Sequence, residues 1–297
     1  MKYMCNGQNA PIVNVDFTAL CDLGKYTLDK IEKLCGFLYN PKGTEQEAID
    51  RYVERIKEQN LPAEIEAAKI SNARKDIKYY SRQKNIVHSA LEHIQENKMP
   101  LPENDDEYDE EWFSRFFECA KHVAKEDMQK LWGRILANEL SSPGSVTKQL
   151  LHVMSIIERE QAIAFSKLCS YSISTANNTL ILCDLHKETE FWKTKSIELP
   201  IILELESLGL LSFNSTGFQY DFPVPLDTFG FKLNNESIYN VVSSKDKIKS
   251  LPLGNVGLTK TGLALCKSID ILYPNDVLNF ITSYFEKRNF IITKVID

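Results

Sequence analysis

The chain has 297 residues, 43% hydrophobic and 26% charged, the balance of an ordinary water-exposed globular protein with room for two or three cores. Its 41 acidic residues against 35 basic ones leave a formal charge of −6, which argues against a dedicated nucleic-acid binder. Seven scattered cysteines with no C-x-x-C spacing speak against a disulfide framework or a zinc site, and no apolar run is long enough to cross a membrane, so a cytoplasmic setting is expected.

In chain order, residues 1–24 hold few helix signals and lack the unbroken apolar segment of a signal peptide. A helix is expected over about Lys25 to Tyr39, closed by the turn residues Asn40, Pro41, Lys42 and Gly43. Thr44 suits a helix cap, with Glu45 and Glu47 in the first turn of a second helix ending near Gln59. Pro62 opens a third, from about Ala63 to Asn97. Between Lys69 and Lys84 this helix carries Lys69, Arg74, Lys75, Lys78, Arg82 and Lys84, with Tyr79 and Tyr80 interleaved. Cations among aromatics can grip a nucleic-acid backbone, and they also make an ordinary solvated helix face. Arg82 and His88 further form an R-x5-H pair, the kind of spacing seen in a class of small helical, metal-independent ribonucleases. There the imidazole would move the ribose 2′-hydroxyl proton and the guanidinium would stabilise the charged transition state. Residues 98–110 read as an acidic linker that divides an N-terminal helical region, 1–97, from a central helical core, 111–190.

The central segment is the most strongly patterned. Trp112, Phe113, Phe116, Phe117, Ala120, Met128, Leu131, Trp132, Ile135, Leu136 and Leu140 recur at helical spacing, which predicts amphipathic helices over about 109–123 and 125–140. The Ser141-Ser142-Pro143-Gly144 break follows, with Ser145 as the cap of a helix to Ile156, and a further helix runs from Glu158 to Tyr171. Glu139 shares the face of Met128, Trp132 and Ile135, so its carboxylate is expected to be buried and in need of a hydrogen-bond or cationic partner, for which Arg82 is a candidate.

The run from Asp127 to Glu139 (DMQKLWGRILANE), followed by Pro143, Gly144 and Ser145, resembles the signature of a bacterial family of unknown function, in which Ala stands at the place of Gly133. Upstream, Arg82, Gln83, Lys84, Asn85 and Ile86 are similar to the family as well, as are Met154, Ser155, Ile157, Glu158, Ala162 and Phe165 downstream. The resemblance marks Arg82, Gln83, Asn85, Gln129, Trp132, Glu139, Pro143 and Gly144 as motif positions and brings no catalytic residue with it. It implies an accessory role in prophages, mobile elements or phage defence.

After Ser172 the pattern becomes strand-like. Short runs are expected at 180–185, 211–214, 218–222, 229–233 and 239–242, with a helix over 198–208, a last helix over 275–288 and a terminal strand over 290–296. Helix, Leu208-Gly209-Leu210-Leu211, hairpin and the Leu258-Thr259-x-x-Gly262 turn together predict a small winged-helix-like α+β module over 191–297. Glu198, Glu204 and Glu206 on its first helix make a poor groove reader. The expected protein is therefore mainly α, a helical N-terminal and central bundle followed by that module. It reads as a non-enzymatic interaction or regulatory component with a protein partner or as a homo-oligomer, with no cofactor, no metal and no assigned catalytic residue. The alternatives are a ribonuclease through Arg82 and His88, or nucleic-acid binding through Lys69, Arg74, Lys75, Lys78, Tyr79 and Arg82.

Overall fold

The computed structural model describes residues 22–37, 39, 43–102, 108–175, 178–233 and 237–295. Most of the expected lead-in, the turn at 40–42 and the acidic residues 103–107 lie outside that set. The chain divides into two compact units, residues 1–85 and 86–297.

The first unit holds α1 (Asp22–Cys35), α2 (Glu45–Lys57) and most of α3 (Ala63–Glu96). Thr44 caps α2 as expected: its hydroxyl accepts from the Glu47 amide, and the Glu47 carboxylate accepts from the Thr44 amide, so two of the orphan N–H groups are satisfied together. Ile31, Ile49, Ile56 and Ala73 are buried in this unit, and Phe37 stacks on Tyr80 with ring centroids 5.6 Å apart.

The second unit begins on the last turns of α3, where Ile86, Val87, Ala90, Leu91 and Ile94 are buried. Next come α4 (Glu110–Ala120), α5 (Glu126–Ser141), α6 (Lys148–Ile156) and α7 (Arg159–Cys169). The aromatic stripe anticipated for this stretch is its core. Trp112 stacks on Phe116 at 5.1 Å, Phe116 meets Trp132 at 5.2 Å, and all three are buried. Burying each such side chain contributes roughly 1.5–3 kcal/mol. The two helices are separate rather than continuous. The chain turns at residues 121–125, held by the Gln129 Nε2 donating to the Val123 carbonyl at 2.9 Å.

From Ser172 onward the chain builds β1 (Ser172–Ser174), β2 (Thr179–Ile181), α8 (Thr189–Thr194), α9 (Leu199–Ser207), β3 (Leu211–Leu226), β4 (Thr228–Leu233), β5 (Ser237–Ser243), β6 (Ile248–Leu258), α10 (Lys260–Ser268), α11 (Val277–Glu286) and β7 (Phe290–Lys294). Five strands form one antiparallel sheet in the order β2-β1-β4-β5-β7, and β3 pairs with β6 in a long antiparallel ribbon. These sheets overturn the expectation of a mainly helical protein with a small winged-helix-like appendage. The described residues are 54% helical and 20% strand, a mixed α/β protein. The reason is long-range pairing: β4 and β5, which look like a lone wing hairpin, gain β1 on one side and β7 on the other. The ribbon meets the rest of the unit closely at Gly254, whose φ of +89° and contact with the Cys183 carbonyl leave no room for a side chain.

Candidate functional site

The motif segment is built around α5 and the turn after it. Three of its polar or small residues have specific structural work. Gln129 fixes the α4–α5 turn as described. Gly133 lies against α3, where a Cβ would come within 2.7 Å of the Ser89 Cβ and 3.0 Å of the Ala90 amide nitrogen. Glu139, 1% exposed, closes the turn at the end of α5: its Oε1 accepts from the Gly144 amide at 2.7 Å and its Oε2 from the Val146 amide at 2.8 Å. Burial pushes the Glu139 carboxyl above the usual carboxylate range, and the two amides oppose that shift only in part. Pro143 and Gly144 form the tip of the turn that Glu139 holds, and Gly144 has φ +75°. Ser145 does not cap the following helix. Its hydroxyl donates to the Asn138 carbonyl, and Thr147 supplies the cap by accepting from the Leu150 amide.

Two clefts flank this segment. The first, of about 480 Å³, is lined by Met128, Val123, Met154 and Trp132 with Cys119 and His122 among its polar groups. Its volume falls within the range of small-molecule pockets. Burial pushes the Cys119 thiol up, the opposite of what an activated nucleophile needs. The second cleft lies between the 142–146 turn and α10.

Arg82, Gln83 and Asn85 lie on α3 in the first unit, and His88 lies on the part of α3 that belongs to the second. Six positions along an α-helix place two side chains on different faces, so the R-x5-H spacing does not by itself make a common site. The His88 Nε2 is 3.1 Å from Glu92 Oε1, and Arg82 lies over the Tyr79 ring at 6.0 Å. Lys75 approaches the same ring at 5.5 Å. By helical phase Arg74, Lys75, Lys78 and Arg82 fall within an arc of about 100°, with Lys69 and Lys84 on other faces. The Lys69 ammonium donates to Gln59 Oε1 at 3.1 Å.

Sequence reading missed a buried ionic cluster. Arg288, just after α11, donates to Asp184 Oδ2 at 2.8 Å, to Glu188 Oε1 at 3.0 Å and to the Tyr284 carbonyl at 2.8 Å, and its guanidinium lies 3.6 Å from the centroid of the Tyr284 ring. Burial acts to raise the Asp184 carboxyl, but the Lys187 amide, Arg288 and the His186 amide outweigh it and hold that group below its ordinary range. A second cluster joins Tyr171, Lys195 and Asp276: the Tyr171 hydroxyl donates to Asp276 Oδ1 at 2.9 Å and Lys195 to Oδ2 at 2.7 Å. Hydrogen bonding from Lys195 is the main cause that holds the Asp276 carboxyl low. Among the described residues no group of three or more His, Cys, Asp or Glu side chains converges to hold a metal ion, and no helix is long and apolar enough to cross a membrane.

The chain is thus a mixed α/β body in which the buried Glu139 is satisfied by backbone amides and the buried Arg288 by carboxylates and a carbonyl. The family described as a protein of unknown function, DUF2806, matches residues 70–270, and the chain belongs to it. The match runs from the basic part of α3 through α5, its turn and the ribbon to α10. No curated protein and no solved structure matches the chain.

Proposed function

We propose that the protein acts by binding, as an interaction or regulatory component rather than an enzyme, and that its simplest partner is a second copy of itself. The observation that carries this reading is the contrast between two buried charged groups that are taken up within the fold and bare apolar groups outside. Glu139 is taken up by two amides and Arg288 by two carboxylates and a carbonyl. Ile291, in contrast, stands 51% exposed on β7, an edge strand of the five-stranded sheet. An open edge presents unpaired N–H and C=O groups, and two copies of one strand can pair antiparallel about a two-fold axis with every contact repeated. Leu199 and Leu203, both exposed and one turn apart on α9, supply a further apolar face. An accessory role in phage conflict rests on the sequence resemblance and on no residue of the fold.

Light scattering across a micromolar concentration series tests the reading. A dimer is expected, with Ile291→Asp shifting the mass to that of one chain. A chain that stays monomeric throughout and cleaves RNA, with cleavage lost in the Arg82→Ala, His88→Ala double variant, would establish the ribonuclease alternative instead.

A further inference from the structure

We infer that the cleft between the 142–146 turn and α10 binds a small molecule carrying a phosphate monoester. The cleft has a volume of about 380 Å³. Lys260 opens α10, and Lys267 lies in its last turn. Seven positions are two helical turns, so the two lysines leave the same face about 10 Å apart along the axis. Leu263 and Ala264 lie between them on that face and also line the cleft. A flexible four-carbon stem lets each ammonium swing toward the other over this apolar floor. Neither lysine makes an ion pair with a described residue, whereas nearby Arg134 is paired with Asp270 at 2.5 Å.

The opposite wall carries hydroxyls from Ser141, Ser142 and Ser145. The groups there that would repel an anion are turned away or already engaged. The Asn138 carbonyl accepts from the Ser142 amide at 2.9 Å and from the Ser145 hydroxyl at 3.1 Å. Both oxygens of Glu139 accept from the turn's own amides, at Gly144 and Val146. The cleft thus offers two mobile point charges and the hydroxyls of Ser141 and Ser142 as donors, the Ser145 proton being held by the Asn138 carbonyl. That set suits a tetrahedral dianion better than a planar carboxylate, whose two oxygens are matched best by an arginine fork that this cleft lacks. The volume exceeds what a bare phosphate fills, so the ligand carries an organic body, which would rest on Leu263 and Val146. A mononucleotide has both parts.

Calorimetric titration of the full chain with AMP, adenosine, inorganic phosphate, benzoate and a short single-stranded oligonucleotide tests the assignment. AMP is expected to bind, more weakly as salt rises. Loss of the phosphate, as in adenosine, is expected to weaken binding by about tenfold or more, as are Lys260→Ala and Lys267→Ala separately, the loss of one charge-assisted contact each. Both lysines are exposed, so the variants should melt with the parent chain, which keeps a lost signal from being lost folding. Absence of AMP binding at millimolar concentration would overturn the proposal. So would AMP binding indifferent to both substitutions, tighter binding of benzoate than of AMP, or binding of the oligonucleotide alone.

Discussion

Gly133→Ala tests the packing of α5 on α3 most sharply. The new methyl carbon would lie 2.7 Å from the Ser89 Cβ, 2.9 Å from its Oγ and 3.0 Å from the Ala90 amide nitrogen. Carbon atoms rest at about 3.5–4.0 Å, so the contact is short by roughly 1 Å. Two of the three atoms in the way, a Cβ and a backbone nitrogen, cannot rotate aside. Overpacking of this kind costs about 1–3 kcal/mol, while Ala in place of Gly inside a helix returns about 1 kcal/mol. The expected net is a loss of about 1 kcal/mol, which for a unit of this size lowers the melting temperature by about 2–4 °C. Because the propensity gain masks part of the clash, a double-mutant cycle is the decisive form. Ser89→Gly removes the Cβ and should couple favourably with Gly133→Ala by about 1–2 kcal/mol, whereas Ser89→Ala keeps the Cβ and should couple weakly. Urea unfolding followed by tryptophan fluorescence reads the cycle, since Trp112 and Trp132 lie in this core. A Gly133→Ala chain about 1 kcal/mol more stable than its parent, additive with Ser89→Gly, would refute the reasoning.

Glu139→Gln should cost about 1–3 kcal/mol, because the side-chain NH2 then faces a backbone N–H where a carboxylate oxygen had accepted. The parent's Glu139 carboxyl is raised by burial, so the folded chain takes up that proton at higher pH than the unfolded chain does. Its contribution is therefore largest below the ordinary carboxylate range and declines as pH rises through the folded value. The difference in stability between parent and Glu139→Gln should carry this slope, and a pH-independent difference would contradict it. Arg288→Met should cost about 3–5 kcal/mol at neutral pH by leaving Asp184 buried without its cation and Glu188 with only Lys287, 4.0 Å away. Asp184 titrates below its ordinary range in the parent, so its contribution is present above that range and is lost as pH falls through the lowered value. The gap between parent and Arg288→Met should accordingly narrow in acid. A loss under about 1 kcal/mol in thermal unfolding would mean that the cluster is solvated.

Local chemistry in the sequence announced individual helices and one cap, but not the fold class. The aromatic and aliphatic spacing from Trp112 to Leu140 identifies α4 and α5 because a buried helical stripe repeats within a few residues, and Thr44 with Glu47 identifies a cap for the same reason. The sheets were misjudged because their partners are remote. β6 contains Pro252, Gly254 and Gly257, residues that usually punctuate strands. Here β6 runs through them with shifts of register against β3, with Gly254 at φ +89° and bridged to Cys183 on the strand's other side. The runs expected at 211–214 and 218–222 are one strand, β3, with shifts of register on either side of Gly217 and Phe218. At the site, the burial of Glu139 follows from its helical face. Its partners do not, because backbone amides have no letter in a sequence and a turn supplies them here. The lysines of α10 look like any solvated pair until the turn after α5 is placed opposite them.

The pairing of Arg288 with Asp184 joins positions 104 apart in the chain. During synthesis the two carboxylates emerge long before their counter-ion, and until it arrives hydration is their cheapest state. The loop that carries them therefore has reason to stay in water while the preceding helices condense, and its final burial belongs to a late step. A chain ending short of that arginine would lack β7 as well, so the two carboxylates and the edge of β5 would be left to water together.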